Sequence, residues 1–316
     1  MKLRYYSIAL LFLVLAAACK KNSDPSTVTT VTGSYNSLND IYNLLRNQPK
    51  TVSFDATAGG SFYGNSGTRY IFSPNCFIDA AGDSIKGTIQ ISVTEYLQKG
   101  DMIFSKMLPV SNGLPLITGG EFNISAVQGT TKLFLRPFSG FFSAKIPQGG
   151  TAMTGMSLFT GIPATDTTLT TINWNNMVDS TAYHTVGACI YNGDTLTILS
   201  DSLRECNADQ FMTSPNYQTF TVTAAISGTT LPAGTIVNAY ALYDTYKGEW
   251  PLLDGTNGVF SEHHVPNIPV HFAVFTIVNN KFYAGTLGTT PATGANYTVT
   301  LTETDPTAFK TTLNAL

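Results

Sequence analysis

Along much of this chain apolar and polar residues alternate with a period of two. Between Gly87 and Tyr96, Ile89, Ile91 and Val93 alternate with Thr88, Gln90, Ser92 and Thr94, the pattern of a strand with one face in a core and the other toward water. The same alternation returns at Phe122, Ile124 and Ala126, and again at Phe220, Val222, Ala224 and Ile226. Val270, Phe272 and Val274 lead into Asn279-Asn280, whose tolerance of left-handed backbone predicts a tight hairpin before Lys281 to Ala284. Tyr297, Val299 and Leu301 predict a last strand. Two segments follow a helical rule instead. Ser37 and Asp40 form a capping pair, Leu38, Ile41, Leu44 and Leu45 share one stripe, and Pro49 stops the helix, which needs a sheet to pack against. Near the end, Asp305 as N-cap, Pro306 at the first helical position, and Phe309 with Leu313 on one face predict a small docked helix.

Strands at this spacing, separated by Gly, Asn and Pro turns and without long helical patterns between them, predict an all-β chain. The expected architecture is two β-sandwich domains with short flanking helices. The boundaries read as a leader over 1–18, a tether over 19–36, an N-terminal sandwich with its leading helix over 37–160, and a C-terminal sandwich with its terminal helix over 218–316. Between them 161–217, with Trp174 and Cys206-Asn207-Ala208-Asp209, is less regular and reads as a bridging segment. No short fixed repeat suggests a propeller or solenoid. The length of 316 residues is enough for two cores. Charged residues make up only 12%, about half the usual share, and the net charge is −3 with no long basic or acidic run after the leader. Nothing there attracts nucleic-acid phosphates over a broad surface, so a nucleic-acid partner is excluded.

The leader carries the strongest signal. Lys2 and Arg4 form a positive start, Ile8 to Leu15 an apolar run, and Ala16-Ala17-Ala18 a small-residue cleavage site directly before Cys19. The apolar run falls short of the ~20 residues of a spanning helix. This predicts a lipoprotein signal peptide cut before Cys19, whose thiol takes the lipid (palmitate among its acyl chains); two or three chains make such anchoring stable. Leu is usual three places before the cysteine; here that place is Ala16, with Leu15 one residue earlier. An ordinary signal peptide with an incidental cysteine is the competing reading. From Lys20 to about Tyr35 the residues are mostly polar without amphipathic period, as in a disordered tether.

No cofactor and no metal are expected. Gly82-Asp83-Ser84-Ile85 resembles the nucleophile block of GDSL-type hydrolases, but the Asp-x-x-His that would supply the base is missing, and a hairpin turn is expected there. His263, His264 and His271 with Glu262 could offer metal ligands; adjacent histidines on a strand point to opposite faces, however, so a loop or surface role is expected. After Cys19, the cysteines Cys76, Cys189 and Cys206 are odd in number. Cys189 with Cys206 is the expected disulfide, since segments around Asn192-Gly193 could fold back. Tyr243 to Pro266 reads as a long connection at one end of the second sandwich. There Trp250 and Tyr243 could stack on sugar rings with Asp254 and Asn257 bonding hydroxyls, or Trp250 and Phe260 could plug the core.

Gly59-Gly60, the run Gly67 to Phe77, Asp79, Gly82, Gly87 and Glu95 together resemble the ZU5-like β-sandwich of some bacterial envelope proteins. Gly119-Gly120-Glu121-Phe122-Asn123-Ile124, Trp174 and Cys206 to Phe211 are similar to later elements of that group. The resemblance covers most of the chain after the tether and rests on turn residues, and the family implies no settled activity. His271-Phe272-Ala273 is similar to the self-cleaving His-Phe-Ser of some eukaryotic ZU5 proteins, but Ala273 lacks the nucleophile. The tract Cys19-Lys20-Lys21-Asn22-Ser23-Asp24 resembles the mature start of Bacteroidota lipoproteins and implies attachment to the outer membrane, facing periplasm or cell surface. Asp-Ser/Thr pairs at Ser84, Thr167, Ser180, Thr195 and Ser202, each followed by a small or aliphatic residue, resemble O-glycosylation acceptors of those bacteria, or are simply turns. The expected function is a non-enzymatic lipoprotein, scaffold or binding module, held to the membrane by its lipid and meeting an envelope protein or glycan partner. A carbohydrate-binding lipoprotein of a glycan-uptake system and an enzyme of unrecognised type are the alternatives.

Overall fold

The computed structural model describes residues 33–137, 140–150, 153–165, 167–177, 187–212, 215–227, 231–253, 255 and 257–316. Residues 32–316 form one compact unit. Cys19, the expected leader and most of the expected tether, 1–32, lie outside the described residues. With about 52% strand and 10% helix, the chain is all-β. Among the described residues no helix is long and apolar enough to cross a membrane.

Numbered in chain order, the strands sort into two larger N-terminal sheets and one C-terminal sheet. The first runs β1 (Lys50–Asp55), β5 (Thr88–Tyr96), β7 (Leu114–Gln128), β15 (Glu205–Phe211), β11 (Ser157–Pro163) and β12 (Ile172–Asn176), with β6 (Val110–Ser111) and β8 (Thr131–Lys132) also on β7. The second runs β13 (Gly187–Asn192), β14 (Thr195–Ser200), β10 (Phe142–Pro147), β3 (Arg69–Phe72) and β2 (Gly60–Tyr63). A small pair, β4 (Phe77–Ile78) and β9 (Phe134–Leu135), sits beside them. Period-two alternation decides the packing. Ile89, Ile91 and Val93 of β5, Phe122 and Ile124 of β7, and Cys206 and Ala208 of β15 join Tyr70, Phe142 and Ile198 of the other sheet in one core. Tyr70 meets Phe122 edge-on at 5.4 Å, a favourable aromatic arrangement.

The C-terminal sheet runs β18 (Glu249–Pro251), β17 (Val237–Tyr243), β20 (Val270–Val278), β21 (Lys281–Thr289), β22 (Asn296–Glu303), β16 (Tyr217–Ile226) and β19 (Val259–Pro266). It folds over its own core: Phe220 and Val222 of β16 and Val299 of β22 pack with Ala241 of β17 and Phe272 and Val274 of β20. The alternate residues Tyr240, Leu242, Ala273 and Phe275 point the other way, into a second core under three helices. These are α1 (Leu38–Leu45), α2 (Lys99–Ser105) and α3 (Pro306–Ala315). Both faces of β17 and β20 are therefore buried.

The local expectations hold at several places. Asp40 Oδ2 accepts the N–H groups of Asn36 at 2.8 Å and Ser37 at 3.1 Å, Asp305 Oδ1 accepts that of Ala308 at 2.8 Å, and Phe309 and Leu313 are buried. Asn279 and Asn280 have φ of 50° and 63°, joining β20 to β21 with Val278 opposite Lys281. On α1, though, Leu44 is exposed and Tyr42 takes its place in the core, because the face pressed on the sheet is the one through Ile41 and Leu45. Tyr35, at the end of the segment expected to be a tether, is held: its N–H donates to Asn280 O at 2.9 Å.

The larger departures concern domain organisation. The described residues within 161–217, expected to be an irregular bridge, carry regular strands. They supply β12 to β15, and β15 lies in mid-sheet between β7 and β11. Strand pairing does change between β15 and β16, close to the expected boundary, but 32–316 is one unit. Helices α1 and α2 from the N-terminal half cover the C-terminal sheet, so the second core is built from both halves. A sandwich with a charged outer face can fold alone; one whose outer face carries Tyr240, Phe275 and Phe282 needs these helices.

Candidate functional site

The expected ligand loop is largely core. Tyr243 is 0% and Trp250 2% exposed, and Phe260 is also buried, all in the core enclosed by the C-terminal sheet. The segment is not one long connection, since β18 pairs with β17 and β19 with β16. Asn257 is a turn residue at φ 51° whose Oδ1 accepts the Gly234 N–H at 3.4 Å. Asp254 lies outside the described residues. Stacking of a sugar on Trp250 or Tyr243 would need an open ring face, and burial removes it. What this region does offer is an apolar groove of about 530 Å³, where Trp250, Pro251 and Leu253 meet Ile162, Leu169 and Ile172. Ile162 and Leu253 stay exposed on its walls.

A polar cluster that the alternation pattern hides lies beneath the turn from β17 to β18. On β7 and β15 the residues between the core-facing ones, Glu121, Asn207 and Asp209, are also fully buried. Thr118 Oγ1 donates to Asn207 Oδ1 at 2.7 Å, and Asn207 Nδ2 donates to Glu121 Oε1 at 3.0 Å and Asp209 Oδ2 at 2.6 Å. Glu121 Oε2, Asp209 Oδ1 and both carboxylate oxygens of buried Glu249 find no hydrogen-bond partner among the described residues. Burial pushes all three carboxyls well above the usual range. For Glu121 the neighbouring Asp209 and Glu249 add to the rise, while for Glu249 the Lys99 ammonium opposes it. Burial thus favours the neutral form of these groups over the charged one. Lys99 Nζ donates to Tyr243 O at 2.6 Å and Leu316 O at 2.9 Å, and burial lowers its pKa and that of Lys247. Thr118 N–H donates to Lys247 O at 2.9 Å, and a Cβ on Gly248 would lie 2.8 Å from Leu116 O, so glycine is required at this close approach. The Thr118–Lys247 bond ties β7 to the turn between β17 and β18 of the C-terminal sheet.

The remaining sequence candidates are scattered. Ser84 closes a turn in which the N–H groups of Ala81 and Asp83 donate to Asp79 Oδ1 at 2.9 Å each; it bridges back to Ile78, and its hydroxyl accepts from Arg136 at 2.5 Å. The turn expected at Gly82-Asp83 is present, and a guanidinium, which only donates, is not a group that takes a serine proton. Ser84 and Thr167 are exposed, Thr195 and Ser202 half-buried; Ser180 lies outside the described residues. Cys189 and Cys206 are not joined: Cys76, Cys189 and Cys206 are all free thiols. The Asn192-Gly193 hairpin does form, but it brings Cys189 opposite Ile198 of β14, while Cys206 belongs to the facing sheet. Burial raises Cys76 to about 11 and Cys189 and Cys206 to about 12, which keeps them as unreactive thiols.

The histidines depart most from expectation. On β19 the pairing with β16 runs Phe220 opposite Glu262 and then Gln218 opposite Val265, so one extra residue is accommodated opposite Thr219. This bulge re-aims the side chains, and the rings of His263 and His264 lie 4.0 Å apart instead of on opposite faces. Glu262 Oε1 accepts the N–H groups of His263 and His264 at 2.6 Å each and lies 3.2 Å from His264 Nδ1. His271 is elsewhere, 2.7 Å from Asp244 through Nδ1.

No protein-family model and no curated protein matches this chain. Among solved structures, the Bacillus anthracis TIE protein aligns over 81% of this chain and 40% of its own, at 9% identity and a TM-score of 0.19. This chain thus spans well under half of that protein, and a likeness so slight carries no argument about fold or function.

Proposed function

We propose that the chain is an exported lipoprotein of the outer membrane, acylated on Cys19, whose β body serves as a non-catalytic scaffold or binding module for an envelope partner. The observation that carries the reading is the leader: a positive start at Lys2 and Arg4, the apolar run Ile8 to Leu15, and Ala16-Ala17-Ala18 directly before Cys19. A thiol at the new N-terminus is the group that a lipid can be built on, and several acyl chains hold a protein to a bilayer without a spanning helix. The body supports the non-catalytic half. Ser84 is held by Arg136, the free thiols are raised by burial, and Ala273 stands where a self-cleaving site needs a hydroxyl. The groove beside Trp250 and Leu253 is the concave apolar surface such a module would use. Metabolic labelling with an alkyne fatty acid, followed by mass analysis of the N-terminal peptide, tests the reading. A lipid-modified peptide beginning at Cys19 is expected, and an unmodified peptide beginning at another residue overturns it.

A further inference from the structure

We propose that Glu262, His263 and His264 form a binding site for a borderline divalent transition-metal ion such as Zn²⁺ or Cu²⁺. A regular strand would separate the two imidazoles, and the bulge opposite Thr219 is what brings them to one side. One ligand atom from each of the three residues lies within 4.8 Å of the others. A cation about 2.1 Å from each donor asks for donor separations of about 3.4 Å, so a small closing rotation completes the set, and His263, the exposed member, has room to make it.

The donors define the class of ion. Two imidazoles and one carboxylate suit Zn²⁺, Cu²⁺, Ni²⁺ or Co²⁺, whereas Ca²⁺ and Mg²⁺ prefer oxygen alone. Two contacts pre-set the geometry. Glu262 is buried, and its carboxylate is fixed by the N–H groups of both histidines. The His264 ring is walled by Trp250 at 5.3 Å and Tyr217 at 6.0 Å. Ligands oriented in this way by their surroundings lose less entropy on binding. The exposure of His263 and the partial exposure of His264 leave the remaining coordination positions to solvent or to a partner's side chain. The inference stands apart from the lipid anchor, since it uses only side chains of the body.

The test is calorimetric titration of the purified full chain in detergent with ZnCl₂, repeated on His263→Ala, His264→Ala and Glu262→Gln. One equivalent of Zn²⁺ is expected to bind, with at least tenfold weaker binding in each histidine variant. His263→Ala removes an exposed ring and leaves the fold intact, which circular dichroism checks, so a loss there is a loss of ligand. Quenching by Cu²⁺ of the fluorescence of the two tryptophans, of which Trp250 lies against His264, gives a second readout, expected in the parent and reduced in His264→Ala. Absence of saturable Zn²⁺ binding by the parent, or binding that His263→Ala leaves unchanged, overturns the proposal.

Discussion

The hydroxyls of Tyr42 and Tyr240, 198 positions apart in the chain, share a hydrogen bond of 3.1 Å beneath α1. Asn238 Nδ2 also donates to the Tyr42 hydroxyl, so one phenol on a short N-terminal helix satisfies two groups of the C-terminal sheet. The rings around it, Phe104 at 6.2 Å and Phe275 at 6.2 Å, complete a joint that welds the halves into one unit.

Tyr42→Phe therefore keeps the ring packing and strips the buried partner from Asn238 and Tyr240. The expected cost is about 1–3 kcal/mol, or on the order of 2–4 °C of Tm per kcal/mol in a domain of this class. Because both halves share the joint, thermal unfolding should remain a single transition at the lower temperature. An unchanged Tm would show that the bond contributes nothing.

Trp250→Ala probes the segment that reads from sequence as a ligand loop. A buried indole removed from the C-terminal core should cost roughly 3–5 kcal/mol, visible as a lower urea midpoint with little change in slope. Retained stability would put Trp250 back among candidate binding residues.

The fold class was legible from alternation, since Ile89, Ile91 and Val93 each had one face to bury and did so. The hairpin at Asn279-Asn280 and the caps at Asp40 and Asp305 were legible because they are local devices. What stayed hidden depends on partners distant in sequence. Phe275 and Tyr240 occupy the opposite face of their strands and declare a second core only once α1, α2 and α3 cover it. Helix α2 carries no capping side chain and buries Lys99 and Asp101, so its pattern looks polar. The pairing of His263 with His264 arises from a bulge set by the register against β16, which no property of the two residues announces. Glu121 stands just ahead of the alternation at Phe122, and Asn207 and Asp209 fall in a stretch that reads as an irregular bridge, so nothing in the sequence announces that the three are buried together.

Those carboxylates make stability depend on pH in a defined direction. Their folded pKa values lie well above the usual range through burial. A group raised in this way contributes stability that is fully present below its unfolded value, about 4, and is lost as pH rises toward the folded value. The urea midpoint should fall between pH 5 and pH 8, and Glu249→Gln should flatten that slope. A slope unaffected by Glu249→Gln would show that the carboxyl is held in its charged form.

The glycosylation reading makes its own demand. Of the acceptor-like positions that the structure describes, Ser84 and Thr167 are exposed, and Ser84 is engaged by Arg136, so Thr167 is the most open hydroxyl. Intact-mass spectrometry of the protein from its native host should show glycan mass that falls when Thr167→Ala is introduced. A mass equal to the lipidated polypeptide alone would remove the idea.

Cys19→Ala tests the proposed anchor most directly, because Cys19 is the only cysteine before Cys76. Membranes from cells expressing the parent and the variant would be washed with carbonate and separated on a density gradient. The account predicts that the parent sediments with the outer membrane while the variant is exported and recovered in the soluble fraction. A Cys19→Ala protein that still sediments with the outer membrane after the wash would contradict it.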